Sequence, residues 1–189
     1  KNLPGTLFLI IGNSGSGKDS IISGIVKAYP QDLIQIVAPK RYITRPPSES
    51  EENISLTPKE FIELDEKGKF ALKWHIYQLD YGISIEIEDW LKIGHPVIIN
   101  VSRTIVKQAK EKYLNVKVIF VEVPFEITFQ RIKERKRESF ELLQERIERA
   151  RGNQSFPNAD YIVDNSGELN DAISQCLNYI IQVIMPKNK

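Results

Sequence analysis

Near the start of the chain, Gly12-Asn13-Ser14-Gly15-Ser16-Gly17-Lys18 stands between a short, nearly continuous apolar run, Thr6-Leu7-Phe8-Leu9-Ile10-Ile11, and a stretch with helical apolar spacing. A run of that kind reads as a strand buried on both faces, as in a parallel sheet. In Ser20-Ile21-Ile22-Ser23-Gly24-Ile25-Val26 the apolar residues recur as on one face of a helix, and Pro30 marks its end. A GxxxxGK segment that links a strand to a helix is a phosphate cradle. Its glycines let the backbone bend until successive N–H groups point at one anion. The helix adds its positive end, and Lys18 brings a compact charge to the outer phosphates of a nucleotide. Gly12, Asn13, Ser14, Gly15, Ser16, Gly17, Lys18, Asp19 and Ser20 are therefore the candidate nucleotide-binding residues.

One position departs from the usual form. The hydroxyl residue that normally follows the lysine and holds magnesium is Asp19 here. A carboxylate is also a hard oxygen ligand, which makes Asp19 a candidate Mg2+ ligand. An acid in the first helical turn equally complements the helix dipole. The sequence leaves both readings open.

Beyond the loop, strands are expected over 33–37, 97–100, 116–121 and 161–163. Helices are expected over 58–67, 85–93, 104–113, 126–134, 140–151 and 168–184. Short apolar strands that alternate with helices argue for an α/β fold, a P-loop three-layer sandwich with a central parallel sheet. Residues 40–82 break the rhythm with charges, prolines and short strand-like pieces, as a small insert would. Residues 131–139 are densely charged between two helices, as a cover over the site would be.

Composition removes several classes of function. Lys and Arg number 26 against 25 Asp and Glu, for a net charge of +1. That balance argues against a nucleic-acid partner, which calls for a broad basic surface. One cysteine, Cys176, excludes a disulfide framework or a cysteine zinc cluster, and two histidines leave little for a histidine metal site. No apolar run approaches the roughly 20 residues of a membrane span, so no membrane partner is expected and the cytoplasm is the expected setting. A homodimer is compatible with the sequence, which does not fix the oligomeric state.

Arg131, Lys133, Arg135, Lys136 and Arg137 form a cationic cluster, followed on an expected helix by Arg146, Arg149 and Arg151. Phosphoryl transfer spreads negative charge over the moving group, and arginines offer it forked donors. Glu134, Glu138, Glu141, Glu145 and Glu148 are interleaved, so part of the segment is solvated surface. Arg135 and Arg146 are the leading catalytic candidates with Lys18, and Arg131 is a further ATP-side candidate.

The loop with its GKDS end, Tyr42-Ile43-Thr44-Arg45-Pro46-Pro47, Tyr81-Gly82 and the stretch from Arg131 to Arg149 together resemble the guanylate kinase family, in the same order and over nearly the whole chain. The resemblance implies one domain over 1–189, with a core of 1–39, 83–130 and 152–189, an acceptor-binding insert of 40–82 and a lid of 131–151. It further implies ATP as phosphoryl donor, Mg2+ as cofactor, and Arg45 and Tyr81 as holders of the accepting phosphate.

The departures from that family are chemical. Leu72 stands where guanylate kinases read guanine with a carboxylate, and Asn53 falls near the position of a tyrosine. Ser48 replaces a second phosphate-gripping arginine. Asn100 and Ser102, followed by Arg103, replace an acidic pair. Guanine donors buried beside leucine without an acceptor would each cost about 1–3 kcal/mol. Sites built around such a hydrogen bond discriminate by about 10⁴-fold or more, so its loss removes the preference for guanine.

The combination of GKDS, Arg41-Tyr42-Ile43-Thr44-Arg45, Glu52-Asn53-Ile54, Trp74-His75, Tyr81-Gly82, Asn100 and Ser102-Arg103 is similar to the ribose 1,5-bisphosphate phosphokinases within that family. These work alongside phosphonate breakdown and make 5-phosphoribosyl 1-diphosphate. That likeness implies a small phosphorylated sugar as acceptor. Arg41 and Arg103 would serve its second anion, Asn100 and Ser102 its hydroxyls, and Trp74 and His75 would line its pocket. Three other readings share the motifs: a nucleoside monophosphate kinase with an unusual base pocket, a non-catalytic guanylate-kinase-like interaction module, and a kinase for another sugar such as gluconate. The last would need a base to deprotonate a hydroxyl, for which no candidate stands out.

Overall fold

The computed structural model describes residues 1–47, 52–134 and 140–185. In chain order the elements are β1 (Leu7–Gly12), α1 (Lys18–Ala28), β2 (Tyr42–Ile43), β3 (Ile54–Ser55), α2 (Pro58–Glu66), β4 (Phe70–Ile76), β5 (Leu79–Ser84) and α3 (Ile87–Lys92). They continue with β6 (Val97–Asn100), a 3₁₀ turn (Arg103–Ile105), α4 (Val106–Lys112), β7 (Val116–Glu122), α5 (Phe125–Glu134), α6 (Phe140–Gly152), β8 (Tyr161–Asp164) and α7 (Leu169–Ile184). The fold is α/β with a parallel four-stranded sheet in the order β6-β1-β7-β8. Leu7 through Ile11 have no exposed surface, as expected of a strand covered on both faces. Among the described residues no helix is long and apolar enough to cross a membrane.

The strand expected over 33–37 does not form. Only Val37 bridges Val97, in parallel, through Val37 N–H to the Pro96 carbonyl and Ile98 N–H to the Val37 carbonyl, both 2.9 Å. Prolines block the next rung on each side. The upstream rung would need an N–H from Pro96, and His95 Nδ1 takes the Gln35 carbonyl instead, at 2.6 Å. The downstream rung would need an N–H from Pro39.

The chain divides into two compact units, Lys1–Phe8 with Gln31–Val116, and Leu9–Pro30 with Lys117–Lys189. The first carries a second sheet, ordered β3-β2-β5-β4. α2 begins with a capping box: Thr57 Oγ1 accepts from Glu60 N–H at 3.2 Å, and Glu60 Oε2 accepts from Thr57 N–H at 2.7 Å. Its buried Phe61 stacks on Phe70 of β4 with ring centroids 4.6 Å apart. β4 and β5 are joined by Tyr77-Gln78, both at positive φ (55° and 59°), the backbone of a two-residue hairpin turn. That turn fixes the register in which Trp74 faces Tyr81.

A buried acid anchors the same unit. Glu88, 6% exposed, accepts from the Tyr113 hydroxyl at 2.9 Å and pairs with Lys1, with Lys112 Nζ at 3.7 Å. Burial pushes its carboxyl up, but the hydrogen bonds from Lys1 and Tyr113 and the charges of Lys1 and Lys112 outweigh it and hold the carboxyl below the ordinary carboxylate range. A folded-state value below the unfolded one gives stability that is present above the unfolded value and lost as pH falls through the folded one. Thermal unfolding against pH should therefore show stability falling under acid, with a shallower fall in Glu88→Gln. Tyr113→Phe should cost about 1 kcal/mol in the same assay at neutral pH.

In the second unit β7 pairs with β8 in parallel, Ile119 opposite Tyr161. α1 lies against α7 so closely that a Cβ on Gly24 would stand 2.2 Å from Ile173 Cδ1. Cys176 on α7 is fully buried and its thiol is pushed up to about 12 by desolvation, so it is an inert packing residue.

Candidate active site

The phosphate loop is shaped by what its glycines leave out. A Cβ on Gly12 would lie 2.8 Å from both Ser16 Oγ and the Val121 carbonyl. Gly17, at φ +89°, forms the N-cap of α1, and a Cβ there would lie 2.5 Å from Asn165 Nδ2. Between them the backbone curls around Lys18. Its Nζ donates to the Gly12 and Asn13 carbonyls, both at 2.8 Å, and lies 3.4 Å from Ser16 Oγ. The start of α1 has no side-chain cap, which suits a helix end that receives an anion. Asp19 and Ser20 are exposed in its first turn.

Two flanking helices reach the same loop. Arg131 of α5 donates from NH1 to the Gly15 carbonyl at 3.3 Å, and Arg146 of α6 donates from NH1 to Ser14 Oγ at 2.9 Å. Asn13 Nδ2 donates to the Ala150 carbonyl at 3.1 Å, so the loop is tied to α6 from its own side as well. Arg135, the other leading catalytic candidate, lies outside the described residues, as does Ser48.

Asn165 was not singled out by the sequence. It is 2% exposed and donates from Nδ2 to the Ser16 carbonyl at 2.8 Å, which pins the loop from beneath. The preceding residue turns the chain there: Asp164 Oδ1 accepts from Ser166 N–H at 2.9 Å. The side-chain and backbone hydrogen bonds with Ser166 hold the Asp164 carboxyl below the ordinary carboxylate range. The only trace of this in the sequence is Asp-Asn-Ser directly after a strand, a common turn composition. Asn165, Gly15, Gly17, Ser20, Arg131 and Leu169 help line a cavity of about 430 Å³, the size of small-molecule sites. Gly17→Ala would force both a strained φ and a clash with Asn165. It should cost about 1–3 kcal/mol of stability, and calorimetry should show weakened ATP binding.

The candidates for the acceptor gather in the first unit. β4 and β5 place Trp74 opposite Tyr81, with ring centroids 5.2 Å apart and planes within 5°. The Arg41 guanidinium lies 6.0 Å from the Tyr81 centroid. Its Nε donates to Asn53 Oδ1 at 3.3 Å and its NH1 to the Asn100 carbonyl at 3.4 Å. Arg41, Asn53, Tyr81, Trp74 and Asn100 thus form one cluster. Leu72, two residues before Trp74, is 1% exposed.

His75 does not join that cluster. Strand alternation turns it to the other face from Trp74, where its Nδ1 meets Asp80 Oδ1 at 2.7 Å in an exposed pair. Arg45 follows β2 directly after Thr44 and is half-buried. Ser102 caps the 3₁₀ turn, its Oγ accepting from Thr104 N–H at 3.3 Å and Thr104 Oγ1 at 2.9 Å. Arg103 begins that turn, half-buried.

A family model described as guanylate kinase matches residues 5–183. The ribose 1,5-bisphosphate phosphokinase PhnN of Pectobacterium atrosepticum is 40% identical over 171 residues, which cover 89% of each chain. The protein of the same name from Bradyrhizobium diazoefficiens is 35% identical over 164 residues, 87% of this chain and 82% of that one. In fold the chain resembles the crystal structure of guanylate kinase from Anaplasma phagocytophilum, with a TM-score of 0.68 at 15% identity over 98% of this chain and 89% of that one.

Proposed function

Because the chain belongs to the guanylate kinase family, we propose that it is a kinase that moves the γ-phosphoryl group of ATP onto a phosphate of ribose 1,5-bisphosphate, giving 5-phosphoribosyl 1-diphosphate and ADP. The observation that carries the choice of acceptor is Leu72. It is fully buried and apolar at the position where, by the motif resemblance, a guanine-reading member of the family has a carboxylate, and relatives 35–40% identical over most of the chain bear the sugar bisphosphate activity in their names.

The accepting atom is an oxygen of the 1-phosphate, already anionic near neutral pH, so the reaction needs no strong base. That oxygen bonds to the γ-phosphorus while the bond from that phosphorus to the β,γ-bridging oxygen breaks, and ADP leaves. Catalysis reduces to alignment and to stabilisation of charge on the moving group. Lys18 and the loop amides of residues 12–20 hold the β- and γ-phosphates, and the cavity beside Gly15–Gly17 takes the nucleoside. Arg146, with Arg135 and Arg131, meets the charge that builds on the transferring group. Arg45 and Tyr81 hold the accepting phosphate, Arg41 and Arg103 the distal one, and Asn100 and Ser102 the sugar hydroxyls.

Magnesium is the implied cofactor. The exposed Asp19 carboxylate, in the helical turn that follows Lys18, is an oxygen donor of the hard type that this ion accepts alongside phosphate and water. When bound, the ion neutralises charge on the β- and γ-phosphates.

A coupled assay of ADP release decides the acceptor. Ribose 1,5-bisphosphate should support turnover, while GMP and ribose 5-phosphate should leave the rate at the ATP-only background. Turnover with GMP and none with the bisphosphate would replace this reading with that of a nucleotide kinase.

A further inference from the structure

The Trp74–Tyr81 pair has a consequence for what the acceptor cluster can admit. The rings are nearly parallel, at 5°, with centroids 5.2 Å apart. Tyr81 is only 8% exposed, while Trp74 is half-buried. Both residues share a sheet face with Leu72 and Ile83, each at most 1% exposed, through the cross-strand pairs Leu72–Ile83 and Trp74–Tyr81. The two-residue turn at Tyr77-Gln78 sets that register, so the indole sits over the phenol as part of the hairpin itself.

Proteins that bind an unpaired nucleobase offer it an aromatic face, and such stacking tolerates every base because each has a π-face. Here one face of the tyrosine is already covered by the chain's own indole. What the cluster keeps beside that stack is polar and cationic: Arg41 over the Tyr81 ring, steadied by Asn53 and by the Asn100 carbonyl. These groups suit phosphate and hydroxyl, which a sugar phosphate offers without a base.

We propose that Trp74 is a specificity-determining residue that excludes base-bearing acceptors by stacking on Tyr81 in the place a base would take. The inference rests on the acceptor reading given above and deepens it. It also has a sign. If Trp74 were instead a platform on which a base stacks, its removal would weaken nucleotide binding, whereas exclusion requires removal to strengthen it.

The test is calorimetric binding of GMP and of base-free ribose 5-phosphate, with a non-hydrolysable ATP analogue saturating the donor site so that turnover plays no part. Trp74→Ala should raise the affinity for GMP relative to that for ribose 5-phosphate by roughly tenfold, the scale of one lost or gained stacking partner, with GMP itself bound more tightly than by the parent. Trp74→Phe, which restores a flat ring, should return GMP to near the parent value. Should the alanine variant fail to fold by circular dichroism, Trp74→Leu replaces it with the same expectation. GMP affinity that falls, stays unchanged or moves in step with ribose 5-phosphate overturns the proposal. Failure of the acceptor reading shows separately, as absence of turnover of ribose 1,5-bisphosphate by the parent protein.

Discussion

Lys18→Ala should lower kcat by about 10²–10³-fold, the scale of losing one preorganised charge at a developing anion. The effect is large because this ammonium is built into the loop. With Gly12 and Asn13 carbonyls both 2.8 Å away, Nζ is already held at the centre of the curl. On the proposed reading it would meet the phosphates with little reorganisation. Lys18→Arg should not rescue the loss, since a planar fork cannot replace a compact point charge in a curl of this size. Calorimetry should show weaker ATP binding in both variants while circular dichroism stays native. A Lys18→Ala enzyme within threefold of the parent kcat would mean that the loop does not hold the transferring nucleotide.

Arg146→Ala should cost about a thousandfold in kcat, the lower end of what an arginine at a transferring phosphoryl group supplies. KM for ATP should move much less if, as proposed, the arginine acts on charge that grows toward the transition state. Its guanidinium is held at the loop by Ser14 Oγ at 2.9 Å. Ser14→Ala separates docking from chemistry: loss of one neutral-acceptor hydrogen bond should cost about tenfold or less. Arg146→Lys should recover only part of the rate, since the ammonium keeps the charge and loses the fork. If Ser14→Ala matched Arg146→Ala, Arg146 would be a docking residue only.

The parts legible in the sequence are those whose chemistry is local. GxxxxGK between a buried strand and a helix carries its own meaning, and the loop curls around Lys18, whose ammonium binds the Gly12 and Asn13 carbonyls. Arg131 and Arg146 are legible as cations of the charged segment and of the helix that follows it, and both touch the loop. Asn165 was not legible. Its value lies in reaching the Ser16 carbonyl across 149 positions of chain, and nothing local marks an asparagine for that. Asn53 is similar: it departs from the pattern of the family the motifs resemble, but its grip on Arg41 depends on how the insert folds. Adjacency to Trp74 does not bring His75 to the acceptor cluster, because in a strand adjacent residues face opposite ways. The failed strand at 33–37 shows the same gap between propensity and partnership. Its apolar residues suit a strand, but Pro96 and Pro39 deny it the rungs on either side of Val37.

The central claim is that this phosphate-loop kinase accepts a sugar bisphosphate and no longer reads a purine. ³¹P NMR of one tube holding the protein, ATP, Mg2+, ribose 1,5-bisphosphate and GMP in equal amounts tests it most directly. The account predicts growth of the coupled resonances of a sugar diphosphate and of ADP while the GMP signal stays constant. Conversion of GMP to its diphosphate with the bisphosphate left intact would contradict it.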